Sequence, residues 1–147
     1  MALHKGKERE CTLQLVYSFD FTGEEASEED LSIRIQWLMQ EFKLTKKNAH
    51  TIDQAATNLF KKKEMLDALI NQFVIGYSLE RITKVELALL RLLIWEVCIE
   101  KSIPLEVAMS EARRLCKKFS YEKGADFVTA VLEAACKSNL EDKPSDV

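Results

Sequence analysis

Apolar residues recur at helical spacing along almost the whole chain, and they are densest over residues 85–99. Only Glu86, Arg91 and Glu96 are charged in that run, and they are spaced five apart. At about 100° per residue, five residues advance the azimuth by about 140°, so the three charges point in three directions. A helix that is apolar on nearly every side has to be wrapped by neighbours. This one is also charged and shorter than the roughly 20 apolar residues of a bilayer span, so it reads as the central helix of a helical protein.

The other elements follow in order. Cys11, Leu15, Val16 and Phe19, flanked by Leu13 and Tyr17, mark an amphipathic helix over residues 8–21 that Thr22-Gly23 breaks. Ser27 is a candidate N-cap for a second helix with an acidic first turn and the stripe Leu31, Ile35, Leu38, Phe42. Thr45 is placed to cap a third, with Ile52, Ala55, Ala56, Leu59 and Phe60 inward, closed by Lys61-Lys62-Lys63. Leu66, Leu69, Ile70 and Phe73 form a short fourth, ended by Gly76. Thr83-Lys84-Val85-Glu86 is a capping box opening the central helix. Ser102-Ile103-Pro104 stops that helix and starts the next, whose stripe is Leu105, Ala108, Met109, Ala112, Leu115 and Cys116. Ser120 is the expected cap of a last helix with Phe127, Val128, Val131, Leu132 and Ala135 inward, before a polar tail from Asn139. The expectation is an all-α fold of about seven helices and no strand.

Composition agrees. Four Gly and two Pro in 147 residues leave little material for the turns of a many-stranded sheet, and 47% apolar residues can fill a core. Net charge is −3, which argues against whole-protein attraction to nucleic acid. A local basic stripe can nonetheless dominate, because screening confines charge effects to about 8–10 Å. Two such stripes exist: Lys5, Lys7 and Arg9 near the N-terminus, and Arg113, Arg114, Lys117 and Lys118 on one helix, with Tyr121 placed to stack on unpaired bases. The competing reading is a solvated face laced with ion pairs. Tyr17, Phe19 and Phe21 carry more aromatic surface than one helix usually buries, which suits a partner surface, while packing in the core is the default reading.

Catalytic chemistry is not expected. No glycine-rich phosphate loop is present, and neither His4 nor His50 sits in a recognisable nucleophile or metal motif. Cys11, Cys98, Cys116 and Cys136 are scattered, which reads as buried thiols in a reducing compartment. No cofactor or metal is implied. The N-terminus turns polar within four residues and builds no signal-peptide core, so a cytoplasmic location is expected.

Several segments, taken together and in order, resemble the NusB family. They are Arg9-Glu10-Cys11-x-x-Gln14-x-x-Tyr17-Ser18, Val85-Glu86-x-Ala88-x-Leu90-Arg91, Ile103-Pro104-x-x-Val107-Ala108-x-x-Glu111-Ala112, Lys118-Phe119 and Phe127-Val128-x-x-Val131-Leu132. The resemblance implies two crossed three-helix subdomains with a small extra helix, divided near residue 76 within a domain over residues 1–140, and a flexible tail over 141–147. It further implies transcription antitermination as a heterodimer with the ribosomal protein NusE, bound to a single-stranded boxA element of RNA within the RNA polymerase antitermination complex. By the same resemblance, Arg9 matches the last residue of an N-terminal arginine-rich RNA motif, Tyr17 and Glu86 match positions facing NusE, and Phe119 precedes a loop of the RNA face. With the basic stripes and the aromatic surface, the candidate RNA-binding residues are Lys5, Lys7, Arg9, Arg113, Lys117, Lys118, Phe119 and Tyr121. The candidate partner-binding residues are Tyr17, Phe21 and Glu86.

The chain departs from the family pattern where it has only Lys5, Lys7 and Arg9 at the N-terminus, Ser110 before Glu111-Ala112, Thr129-Ala130 after Phe127-Val128, and Lys123 in the loop after Phe119. Fewer phosphate contacts mean weaker and less salt-dependent RNA binding. The alternative is therefore a NusE-binding scaffold, or a homodimer, with little RNA affinity of its own. By the same resemblance this helical domain also occurs fused to rRNA cytosine methyltransferases, a third reading that is not the one expected for these 147 residues.

Overall fold

The structure is a computed structural model that describes residues 3–74 and 82–141. Seven α-helices and no strand occur among them: α1 (Lys5–Thr22), α2 (Glu28–Phe42), α3 (Lys46–Phe60), α4 (Lys63–Phe73), α5 (Lys84–Ile94, continued by a π-helical turn Trp95–Ile99), α6 (Leu105–Phe119) and α7 (Gly124–Glu141). The all-α expectation holds.

Local sequence explains most helix ends. The Ser27 hydroxyl accepts from the Asp30 N–H at 3.1 Å, and the Thr45 hydroxyl accepts from the Asn48 N–H at the same distance. Each satisfies one N–H that a helix start leaves orphaned. Gly23, at φ 80°, closes α1 in a conformation that a residue with a Cβ adopts only under strain. Three ends differ from expectation. Ser120 does not cap α7; its N–H bonds back to the Cys116 carbonyl and closes α6, and α7 begins after a turn in which the Gly124 N–H reaches the Tyr121 carbonyl. The helix end expected at Gly76 lies outside the described residues, as does the expected subdomain boundary there, while α4 is already complete at Phe73. The polar stretch from Asn139 continues α7 as far as Glu141, and the remainder of the expected tail lies outside the described residues.

The chain groups into two compact units, Met1–Lys61 and Lys62–Val147. In the first, α1 and α2 both pack on α3. Arg34 of α2 ties the three together. Its Nε donates to Asp53 Oδ1 of α3 at 2.6 Å, its Nη1 donates to the Glu24 carbonyl at 3.1 Å, and its guanidinium lies 4.9 Å from the ring centre of Phe19 of α1. Phe19 in turn meets Phe60 edge-on at 5.6 Å.

In the second unit α4, α6 and α7 pack on α5. Every residue from Glu86 to Trp95 is buried, as an all-round apolar helix requires. Two charged residues are buried in that run, Glu86 at its start and Arg91 in its middle; Arg91 is 1% exposed and paired bidentately with Asp67 of α4, Nε to Oδ1 at 2.7 Å and Nη2 to Oδ2 at 2.8 Å. A buried guanidinium is tolerable only with such a partner, so this pair fixes where α4 can lie on α5. Asp67→Ala should lower unfolding stability by about 3–5 kcal/mol in urea denaturation, since it strands the cation; a change under about 1 kcal/mol would show that the pair does not hold α4 in place.

Candidate functional site

In the first unit the N-terminal basic residues separate by environment. Lys5 and Lys7 are exposed, and Lys5 approaches Glu8 at 3.7 Å. Arg9, by contrast, lies on the inward side of α1 and is 8% exposed, so little of it is available to a phosphate. Lys5 instead lines a cleft of about 570 Å3 with Leu3, Glu8, Thr45, Lys47, Asn48 and Thr51. Lys47 is absent from the residues that the sequence pattern singles out, although a signal for it exists. Lys46 and Lys47 occupy the first turn of α3, where the positive end of the helix dipole disfavours cations, so local folding gives no reason for them.

The aromatic residues of α1 divide as helical geometry demands. Phe19 is buried, while Tyr17 and Phe21 share the opposite side, 63% of Phe21 being exposed. Their rings meet edge-on at 5.3 Å. Spaced i,i+4, they form one apolar step on the surface that folding of the unit leaves uncovered.

In the second unit the basic stripe of α6 is partly consumed by ion pairs. Arg113 donates to Asp126 Oδ1 at 3.1 Å and to the Thr129 hydroxyl at 3.4 Å, and Arg114 forms a bidentate pair with Glu111 at 2.7 and 2.9 Å. The solvated, salt-bridged reading therefore describes these two arginines. Lys117 and Lys118 are exposed in the last turn of α6, where the helix dipole favours cations. The Lys118 ammonium lies 5.6 Å from the ring centre of Phe119, which is half-buried, and Tyr121 is exposed in the turn that follows. Two lysines, a cation–π contact and an exposed phenol thus share one helix end, the composition suited to an unpaired, charged polynucleotide.

Glu86 occupies a different setting from the one its resemblance implies. It is 4% exposed. The Glu86 N–H donates to the Thr83 hydroxyl at 3.1 Å, and the carboxylate Oε1 accepts from the Thr83 N–H at 3.2 Å and from the Thr83 hydroxyl at 2.6 Å, completing the capping box. Its other oxygen, Oε2, lies against Gly124 at the start of α7, so close that a Cβ there would stand 2.7 Å away. One carboxylate therefore joins the starts of α5 and α7 beside the Tyr121 turn, and it helps burial push the Cys116 thiol up to about 11. Among the described residues no group of three or more His, Cys, Asp or Glu could hold a metal ion, and no helix is long and apolar enough to cross a membrane.

A family profile described as the NusB family matches residues 6–137. Similar proteins include the transcription antitermination protein NusB of Dehalococcoides mccartyi, 33% identical over 138 residues covering 94% of this chain and 93% of that one. The transcription antitermination protein NusB of Acetivibrio thermocellus is 32% identical over 132 residues, covering 90% and 88%. Among solved structures, T. maritima NusB superposes with a TM-score of 0.74 at 23% identity, over 96% of this chain and 99% of its own, a likeness of fold.

The double role of the buried carboxylate is testable by stability. Glu86→Ala removes the cap, and Gly124→Ala drives a methyl into Oε2; each should cost about 1–2 kcal/mol in chemical denaturation. The double variant should cost clearly less than the sum, since both act at one point of packing. Strict additivity would separate the two residues.

Proposed function

This chain belongs to the NusB family, and from that premise we propose that it acts in transcription antitermination, binding a boxA-type single-stranded RNA together with NusE. The observation that carries the RNA part is the helix end formed by Lys117, Lys118, Phe119 and Tyr121, where exposed cations adjoin exposed aromatic surface. Ammonium groups neutralise phosphates with release of counterions, and aromatic faces accept bases in stacking. Lys5 and Lys7, with Lys47 across the cleft, form the second set of phosphate contacts; Arg9 and Arg113 contribute through helix packing and ion pairing instead. The NusE surface is the Tyr17–Phe21 step, an aromatic pair already pre-organised by its own edge contact. Glu86 supports the neighbouring turn from within. The protein works in the cytoplasm, without a cofactor and without catalysis of its own.

Burial of Arg9 and ion pairing of Arg113 and Arg114 favour a second reading, a NusE-binding scaffold with weak RNA affinity. Fluorescence anisotropy of a labelled boxA RNA, with and without NusE and at two salt concentrations, separates the two. The RNA reading expects binding that strengthens with NusE and weakens with salt. Replacing Lys117 and Lys118 with alanine should lower the log–log salt slope by about 0.7 for each phosphate that is no longer neutralised. Tyr17→Ala with Phe21→Ala should weaken NusE binding by about tenfold or more. A NusE complex with no affinity for RNA would establish the scaffold, and no association with NusE would overturn both readings.

A further inference from the structure

In the first unit the outer side of α2 takes no part in the RNA and NusE readings. At about 100° per residue, Ile33 and Trp37 fall on the side of the helix away from the buried Ile35 and Leu38. Ile33 is 60% exposed and Trp37 44%. Spaced i,i+4, they form one ridge, and the indole is steadied by an edge-on contact with the half-buried Phe42 at 5.6 Å. β-Branched and aromatic side chains are weaker helix formers than straight-chain polar ones, so the helix itself gives no reason for them. Acids border the ridge: Glu29 and Asp30 are exposed at one end and Glu41 at the other. The helix dipole favours the first two but opposes a carboxylate in the last turn, so Glu41 too lacks a local reason. Arg34 is the one basic residue within α2, and it is turned inward to Asp53 and the Glu24 carbonyl. The next cation, Lys43, lies past the helix in its left-handed cap.

We propose that the outer side of α2 docks a basic amphipathic helix of another protein. The partner's apolar side lies on the Ile33–Trp37 ridge, since a ridge of residues four apart fits the groove of a facing helix. Lys or Arg residues flanking that side pair with Glu29, Asp30 and Glu41, as charged flanks do in paired helices. Charge complementarity selects this occupant. Two copies of α2 laid on each other bring carboxylates against carboxylates in either direction, Glu41 on Glu29 and Asp30 when antiparallel and like residues on like when parallel. A nucleic acid or an anionic membrane meets the same repulsion. The surface belongs to a different helix from the Tyr17–Phe21 step, so α1 and α2 offer the unit two separate places for protein partners.

The test is a fluorescence titration of the full-length protein with a synthetic helical peptide of about five turns, Leu on one side and Lys on the other. Two counterpart peptides replace every Lys with Glu or every Leu with Ser. Trp37 reports the contact, because Trp95 is 7% exposed and already shielded from water. The expected result is a saturable blue shift with the Lys–Leu peptide that weakens with salt, and none with either counterpart. Ile33→Ser, and Glu29→Lys combined with Glu41→Lys, should each weaken binding by about tenfold or more, and the charge-reversed protein should take the Glu–Leu peptide instead. Glu41→Lys puts a cation where the helix dipole favours one, so binding lost with it is not folding lost. No binding of the Lys–Leu peptide, or equal binding after either change, would overturn the proposal. So would self-association that Ile33→Ser abolishes, or tighter binding of a single-stranded oligouridylate at Trp37.

Discussion

Charge buried in an apolar helix is the constraint on which the second unit depends. The central helix offers its neighbours a nearly continuous hydrocarbon surface, and such a surface alone does not select one packing arrangement. Arg91 and Glu86 do. Each must find partners at fixed points, because an unpaired charge inside a protein costs several kcal/mol or more. Arg91 finds both carboxylate oxygens of Asp67 and so sets α4. Glu86 spends one oxygen on its own helix start and lays the other against Gly124, which sets the start of α7. The apolar residues supply the driving force, and these polar ones supply the register.

That register reaches the surface through a short path. Glu86 touches Gly124, Gly124 is hydrogen-bonded to Tyr121, and Tyr121 adjoins Lys117, Lys118 and Phe119 at the end of α6. The exposed turn is therefore held from beneath by a buried carboxylate. A residue matched by resemblance to a partner-facing position does its observable work inside the protein, as a support. On the first unit the division is simpler: helical periodicity alone turns Phe19 inward and leaves Tyr17 and Phe21 outside.

Most of the fold is legible in the sequence because it is written in local signals. The caps Ser27, Thr45 and Thr83 and the stripes of α3 and α6 depend only on residues within a few positions of each other. What stays hidden depends on distance in space. Ser120 looks like an N-cap in sequence, yet its N–H serves the preceding helix. The π-turn at Trp95–Ile99 leaves no mark in apolar periodicity, since an extra residue in one turn scarcely alters so uniform a run. The site is less legible. Burial of Arg9 and the pairing of Arg113 with Asp126 depend on relations in space that the linear pattern does not encode. Lys47 of the cleft also carries a readable local signal, since a cation in the first turn of a helix is unfavourable there and calls for another reason.

Which surface meets RNA decides between the functional readings. The most direct measurement is an amide-resolved NMR titration of the isotope-labelled protein with a boxA RNA in the presence of NusE. Shifts concentrated at residues 117–123 and around Lys5, Lys7 and Lys47 are the predicted result. Shifts confined to other faces, such as Ile33 and Trp37 on α2, or no shifts at all, would contradict it.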